Sequence, residues 1–255
     1  MKKIIIIYML GTLSLFSCKK NFLEEEPLSI YTPDNSLQTA SQFQQAVNNV
    51  YNGVRTIYLA NINLDAYYAL YYATDFSYNA TDYEPAAKLN AYKATMVPTF
   101  AVPQIMWTSL YKIITNANLI INRVPQSAQL TDAEKNSFLG QALFFRAYSY
   151  NMLANLYGGV PLELNELAEP KYDYVRADRA AVYKQCKEDL LKAIGFLSDI
   201  TTVSDGVVNK QIAKHVLTEV LISLKDYDGA IASATEVINF PGVSLMENRF
   251  GRRAS

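Results

Sequence analysis

Apolar side chains recur at intervals of three and four residues along most of this chain, which is the spacing of one helical face. The first such face begins at about residue 39 and carries Phe43, Ala46, Val47, Val50, Tyr51, Val54, Ile57 and Tyr58. A second apolar stretch runs from Leu64 to about Phe76. Residues 77–102 lack this period and contain two prolines, so they predict a long loop.

Start and stop signals divide the rest of the chain into further predicted helices. They lie at about residues 103–124, 131–157, 178–197, 209–224 and 227–239. Pro103 suits a first helical turn, and Thr131 followed by Glu134 is a capping box. Gly158-Gly159 ahead of Pro161 is a stop signal. Because no alternating run is long enough to propose a sheet, the expected fold class is all-α.

The last two predicted helices have the pattern of a tetratricopeptide hairpin. Lys225-Asp226 forms a tight turn, Tyr227 lies at that turn, and Ala230 and Ala234 lie where two helices must approach closely. The chain has no strict period of about 34 residues. We therefore expect degenerate tetratricopeptide-like helix pairs joined by long loops.

The N-terminus has the pattern of a bacterial lipoprotein signal. Lys2 and Lys3 precede an apolar run from Ile4 to Phe16, and Ser17-Cys18 follows it. The run is too short for a membrane span, which needs about 20 apolar residues. We predict a signal peptide at residues 1–17 and acylation of Cys18, with an ordinary signal peptide and an incidental cysteine as the alternative.

The polar stretch after this cysteine predicts a spacer rather than a folded unit. Residues 18–36 contain the run Glu24-Glu25-Glu26 and two prolines, and we interpret them as an extended tether. The helical domain is then expected at residues 37–255. Acyl chains on Cys18 would anchor that domain in a bacterial membrane, since about two chains give stable anchoring.

Composition and charge exclude several functional classes. The chain of 255 residues has a formal net charge of -1 and no basic stripe, which argues against nucleic acid as a partner. Apart from Cys18, the only cysteine is Cys186, which we interpret as a small buried apolar residue. The single histidine, His215, is expected to be structural, and no metal or cofactor is predicted.

Five groups of residues then occur in a recognisable order. They are the leader from Cys18 to Pro27, the pattern W-x3-Y-x2-I-x2-A-N at 107–118, the block at 140–162, the matches at 182–193, and the helix pair at 209–239. Together they resemble the SusD/RagB family of outer-membrane nutrient-binding lipoproteins. The resemblance covers essentially the whole chain.

Two positions depart from the pattern of that family. The family often has Glu where this chain has Gln141, and often Asp where this chain has Gly159. The missing carboxylate puts an intrahelical ion pair of Arg146 in doubt, and an exposed pair there would contribute less than about 1 kcal/mol.

The chain is also short for this family, whose members are usually about twice as long. We interpret it as the N-terminal portion of such a protein, from a truncated or frameshifted gene or an incomplete sequence. A naturally short member is the alternative.

The resemblance implies a function and its partners. Such a lipoprotein would act as a lid on a SusC-like TonB-dependent transporter, and it would capture an oligosaccharide or peptide and pass it inward. Its helices would mainly face the transporter. Sugar binding would use aromatic stacking and hydrogen bonds to hydroxyls, so no enzyme activity is expected.

The best candidate for ligand contact is the loop from Asp75 to Pro85, which mixes aromatic rings with amide and carboxyl groups. The predicted ligand-binding residues are Asp75, Tyr78, Asn79, Asp82 and Tyr83. The alternative is that the tyrosines pack on helices while the acids cap turns. Trp107 lies on an apolar helical face, so we expect it in the core.

Two other functions compete with ligand capture. A glycoside hydrolase needs two carboxylates about 5–9.5 Å apart, and Glu163, Glu166 and Glu169 are the residues that could be proposed. They follow a helix stop with nothing expected to bury them, which argues against that role. A tetratricopeptide-like scaffold that binds only protein would share the helix pairs but would not require the aromatic loop.

Overall fold

The computed structural model describes residues 37–58, 101–167 and 169–244. Its α-helices are α1 (Ala40–Tyr58), α2 (Ala101–Arg123), α3 (Asp132–Tyr157), α4 (Arg179–Phe196), α5 (Lys210–Ser223) and α6 (Tyr227–Ile238). Short 3-10 helices lie at Val124–Gln126 and Ile200–Thr202. Within the described ranges the β-type pairing is one isolated bridge between Pro161 and Arg176. The prediction of an all-α fold is confirmed.

Helix α3 is the centre of the fold, and its ends follow the local signals in the sequence. Thr131 Oγ1 accepts the Glu134 amide at 3.3 Å, while the Glu134 carboxylate accepts the Thr131 amide at 2.8 Å, which completes the capping box. Gly158 ends the helix with a φ of 77°, a left-handed conformation that favours glycine. Residues on all sides of α3 are buried, since it packs against both α2 and α4.

Caps set the other boundaries, with one exception. Asn209 and Asp226 cap α5 and α6 by accepting the amides of Ile212 and Gly229 at 3.0 and 3.1 Å. Asp178, a residue type that often caps helices, occupies the N-cap position of α4, but its side chain makes no capping hydrogen bond. Helix α2 begins at Ala101, two residues earlier than the expected start at Pro103.

Consecutive helices pack against each other from α1 to α6, which is the arrangement of a helical repeat. A single hydrophobic core runs through all six helices. Close approach depends on small residues: Ala230 and Ser233 of α6 are buried against α5, and the Ser233 hydroxyl donates to the Lys214 carbonyl at 2.9 Å. Tyr227 at the predicted hairpin turn lies on the exposed side of α6.

The interpretation of Cys186 as a small buried residue is confirmed, whereas a structural role of His215 stays a prediction. Cys186 is fully buried in α4, and burial raises the pKa of its thiol. His215 lies within α5, where its side chain is exposed and 3.7 Å from Glu219, one helical turn away. Among the described helices, none has the length and apolar character needed to cross a membrane.

Candidate ligand-binding cleft

A cleft of about 410 Å³ lies between α2 and the segment that follows α3. Helix α2 lines it with Trp107, Tyr111 and Asn118, among others. Residues 161–167, which we call the cleft segment, line the opposite side, and Tyr174 completes the wall. The volume falls within the range of about 300–1,000 Å³ that small-molecule sites occupy.

Aromatic rings form much of the cleft surface. The ring centroid of Trp107 lies 4.9 Å from that of Tyr111 and 5.1 Å from that of Tyr157, with Trp107 and Tyr157 in edge-to-face contact. Trp107 packs against the core but is only partly buried, so the expectation that it is a core residue is wrong in part. Tyr174 is about half exposed, and the Lys171 ammonium lies 5.3 Å from its ring centroid.

The cleft segment contains no helix, so its backbone groups need partners from side chains. Two tyrosines supply several of them. The Tyr111 hydroxyl donates to the Pro161 carbonyl at 2.8 Å. The Tyr150 hydroxyl donates to the Glu163 carbonyl at 2.9 Å and accepts the Glu163 amide at 2.7 Å. These bonds fix the start of the segment against α2 and α3.

Burial extends to higher pH the range over which the hydroxyls of Tyr111, Tyr150 and Tyr157 stay protonated. It raises the pKa of Tyr111 and of Tyr150 far above the ordinary tyrosine value, and it raises the pKa of Tyr157 to about 12. Nearby Glu163 adds to the increase at Tyr111. All three hydroxyls therefore remain neutral hydrogen-bond donors at pH values where an exposed tyrosine ionises.

A buried ion pair lies behind the cleft segment. Arg146 of α3 and Asp189 of α4 form two hydrogen bonds of 2.7 Å, and their side chains are 6% and 0% exposed. The Arg146 Nη1 donates in addition to Asn118 Oδ1 at 3.0 Å and to the Leu164 carbonyl at 2.9 Å. A buried charge is tolerated when paired and hydrogen-bonded in this way.

The structure resolves the doubt about the partner of Arg146. This chain has Gln141 in α3 where the family often has a glutamate. The carboxylate that pairs with Arg146 is instead Asp189, which belongs to the next helix. Gln141 instead accepts a hydrogen bond from the Tyr51 hydroxyl at 2.9 Å and donates to the Ser137 carbonyl at 3.1 Å. Arg146 thus takes part in a buried ion pair between α3 and α4, and not in the exposed intrahelical pair considered from sequence.

Two of the three candidate hydrolase carboxylates take part in ion pairs. Glu163 is mostly buried and lies 2.8 Å from the Lys171 ammonium, which contradicts the expectation that nothing buries it. Glu166 accepts from Arg123 Nε at 2.9 Å. Glu169 is exposed. In the part of the chain that the structure describes, no group of three His, Cys, Asp or Glu residues could hold a metal ion.

The predicted ligand-binding residues Asp75, Tyr78, Asn79, Asp82 and Tyr83 lie outside the described residues, as does Cys18. Asn165, Leu167 and Tyr174 line the cleft but were not among the site residues predicted from the sequence. The aromatic pair Tyr172 and Tyr174 next to Lys171 was the one available signal.

A protein-family profile described as SusD-like, "starch-binding associating with outer membrane", matches residues 21–217. Two SusD-like proteins of Formosa agariphila are each 26% identical to the chain, over 251 and 243 residues. These matches cover 96% and 94% of this chain but 47% and 46% of the relatives. The chain therefore spans slightly less than half of the length of these relatives.

Solved structures give the same likeness. A laminarin-binding SusD-like protein superposes with a TM-score of 0.69 at 26% identity, covering 82% of this chain and 45% of that one. A SusD-like carbohydrate-binding protein of Bacteroides vulgatus superposes with a TM-score of 0.66 at 18% identity, covering 83% and 47%. At 18% identity, the similarity to the Bacteroides vulgatus protein shows a shared fold alone.

Proposed function

The chain belongs to the SusD-like family, and from this premise we propose that it is the helical part of a surface lipoprotein that captures glycan nutrients. The observation that carries the proposal is the aromatic cleft of about 410 Å³ within a SusD-like fold. A peptide ligand is the other possibility that the family resemblance leaves open.

The cleft has the chemistry that a sugar ring requires. The apolar face of a pyranose packs on an aromatic ring, and Trp107 and Tyr174 present such rings. Sugar hydroxyls need nearby donors and acceptors, which Asn165, Thr108 and Thr115 of the lining can provide. Such binding moves no proton and forms no covalent bond.

The remaining features of the proposal rest on the sequence. Asp75, Tyr78, Asn79, Asp82 and Tyr83 would form a second ligand-contacting surface, by the same combination of rings and polar groups. Acylated Cys18 would anchor the chain in the outer membrane, facing the cell exterior, after removal of residues 1–17. A SusC-like TonB-dependent transporter would receive the ligand.

We propose binding without catalysis. A hydrolase needs one carboxyl group that can donate a proton and a second that acts as nucleophile or base. Glu163 and Glu166 are engaged by Lys171 and Arg123, so these two carboxylates are used to hold the cleft segment in place. Release of reducing ends from a polysaccharide by the purified chain would contradict this part of the proposal.

Affinity electrophoresis in gels that contain laminarin or starch tests the proposal. We expect the polysaccharide to retard the chain, and Trp107→Ala to abolish most of the retardation because it removes the largest ring of the cleft. Tyr172→Ala is the matched control, since Tyr172 is 88% exposed and does not line the cleft. Equal migration of the wild-type chain with and without either polysaccharide would count against glycan capture.

A protein-docking scaffold is the second candidate, and the exposed apolar side chains of α6 favour it. The two functions differ in their dependence on the aromatic residues. A scaffold would still bind the transporter after Trp107→Ala and after the pair Tyr78→Ala and Tyr83→Ala, and it would show no polysaccharide retardation. Glycan retardation that these changes abolish would exclude the scaffold as the sole function.

A further inference from the structure

We propose that Arg146 and Asn118 are positioning residues that hold the cleft segment at its distance from Trp107, and so make ligand binding depend on the packing of α3 and α4. The proposal rests on the proposed function only for its ligand. The link itself is a property of the protein without ligand.

The orientation of the Asn118 amide is fixed by its neighbours. Arginine can only donate, so Asn118 Oδ1 must face Arg146 Nη1, at 3.0 Å. The amide nitrogen then donates to the carbonyls of Glu163 and Asn165, at 2.8 and 3.3 Å. Asn118 therefore links the buried guanidinium of Arg146 to the backbone of the cleft segment through hydrogen bonds.

Helix packing alone does not account for this arrangement. The two hydrogen bonds from Arg146 Nε and Nη2 to Asp189 already pair the charges and join α3 to α4. The remaining nitrogen, Nη1, points away from α4 to Asn118 and to the Leu164 carbonyl. Apolar residues of similar volume often replace a buried ion pair without loss of stability, so packing does not require this one.

The other end of the network is fixed on α4. Asp189 Oδ1 also accepts a hydrogen bond from Gln185 Nε2 at 3.0 Å, one turn earlier on the same helix. The order of contacts is thus α4, Asp189, Arg146, Asn118 and the cleft segment. A shift of α4 relative to α3 would therefore displace the cleft segment through the side chains of Arg146 and Asn118.

Trp107 gives this proposal a direct readout, because it is the only tryptophan of the chain and lines the cleft. Its emission maximum and its quenching by acrylamide report the opening of the cleft without any ligand. The variants are Asn118→Ala, which removes the bridge, and Arg146→Lys, which keeps a positive charge beside Asp189 but loses the planar fork. Val220→Ala in α5 is the control, since it destabilises a core position outside the cleft.

We expect both variants to shift the Trp107 emission to longer wavelength and to raise its quenching, while Val220→Ala leaves both near the wild-type values. Circular dichroism identifies the variants that remain helical. We also expect Asn118→Ala and Arg146→Lys each to weaken binding of laminarin, or of whichever tested glycan the wild-type chain binds, by about tenfold.

The outcomes separate this proposal from the function on which it rests. Trp107 spectra in Asn118→Ala and Arg146→Lys that match those of Val220→Ala would overturn the positioning role. Altered spectra together with no glycan binding by the wild-type chain would uphold positioning and contradict glycan capture. Wild-type affinity in a helical Asn118→Ala chain would also overturn the proposal.

Discussion

At the scale of single residues, tyrosine hydroxyls serve as hydrogen-bond partners for backbone groups around the cleft that have no backbone partner. Tyr111, Tyr150 and Tyr157 donate to the carbonyls of Pro161, Glu163 and Pro103. These bonds join irregular backbone, or the first turn of a helix, to the helical core. They give a physical reason for some of the 19 tyrosines in the chain.

Their burial predicts how stability changes at high pH. The pKa of Tyr157 is raised from 10.0 to about 12 because the folded protein buries its hydroxyl. As pH rises, the unfolded chain therefore releases this proton first. The contribution to stability is complete below about pH 10 and is lost as pH rises through about 12.

We expect the urea midpoint of the wild-type chain to fall between pH 10 and pH 12. The urea midpoint of Tyr157→Phe should fall less steeply over that window, because the hydroxyl that ionises is absent. Tyr172→Phe is the control, since its ring is largely exposed. Parallel midpoint curves for wild type and Tyr157→Phe would show that this hydroxyl does not couple to folding.

At the scale of elements, the capping box of α3 should contribute a measurable part of the stability. Thr131→Ala leaves the Glu134 amide without its side-chain acceptor, and we expect a loss of about 1 kcal/mol in the free energy of unfolding. Thr235→Ala is the matched control, because that hydroxyl only donates to the Ile231 carbonyl within α6. Urea unfolding measures both, and equal losses would argue against a specific role for the box.

The helices were predictable because their ends depend on neighbouring residues. The box at Thr131, the stop at Gly158 and the turn at Lys225 each involve groups a few residues apart. Asp178 shows the limit of such reasoning, since a residue type that caps many helices makes no capping bond here. Propensity does not tell whether a side chain turns toward the helix amides.

The cleft was not predictable in the same way, because its parts come together only in the folded molecule. Arg146 and Asp189 are 43 residues apart in the sequence, and Tyr111 and Pro161 are 50 residues apart. Their residue types recur in many unrelated helices, so no local signal pairs them. Trp107 has the helical spacing of a core residue, yet its ring lines the cleft and is only partly buried.

At the scale of the whole molecule, one face of α6 is exposed within the part of the chain that the structure describes. Tyr227, Ile231 and Ile238 are 58%, 65% and 72% exposed, and their spacing of four and seven residues places them on one side of the helix. Ala230 and Ser233, on the other side, are buried. An exposed apolar face of this kind favours association.

We expect the chain to self-associate as its concentration rises, and Ile231→Lys to reduce this association without lowering the thermal midpoint, since the side chain has few contacts to lose. Ile212→Lys is the control, because it adds the same charge at another exposed isoleucine, on α5. Light scattering after size-exclusion chromatography measures the mass of each variant over a dilution series. If Ile212→Lys reduces association as much as Ile231→Lys does, net charge is responsible and not the α6 face.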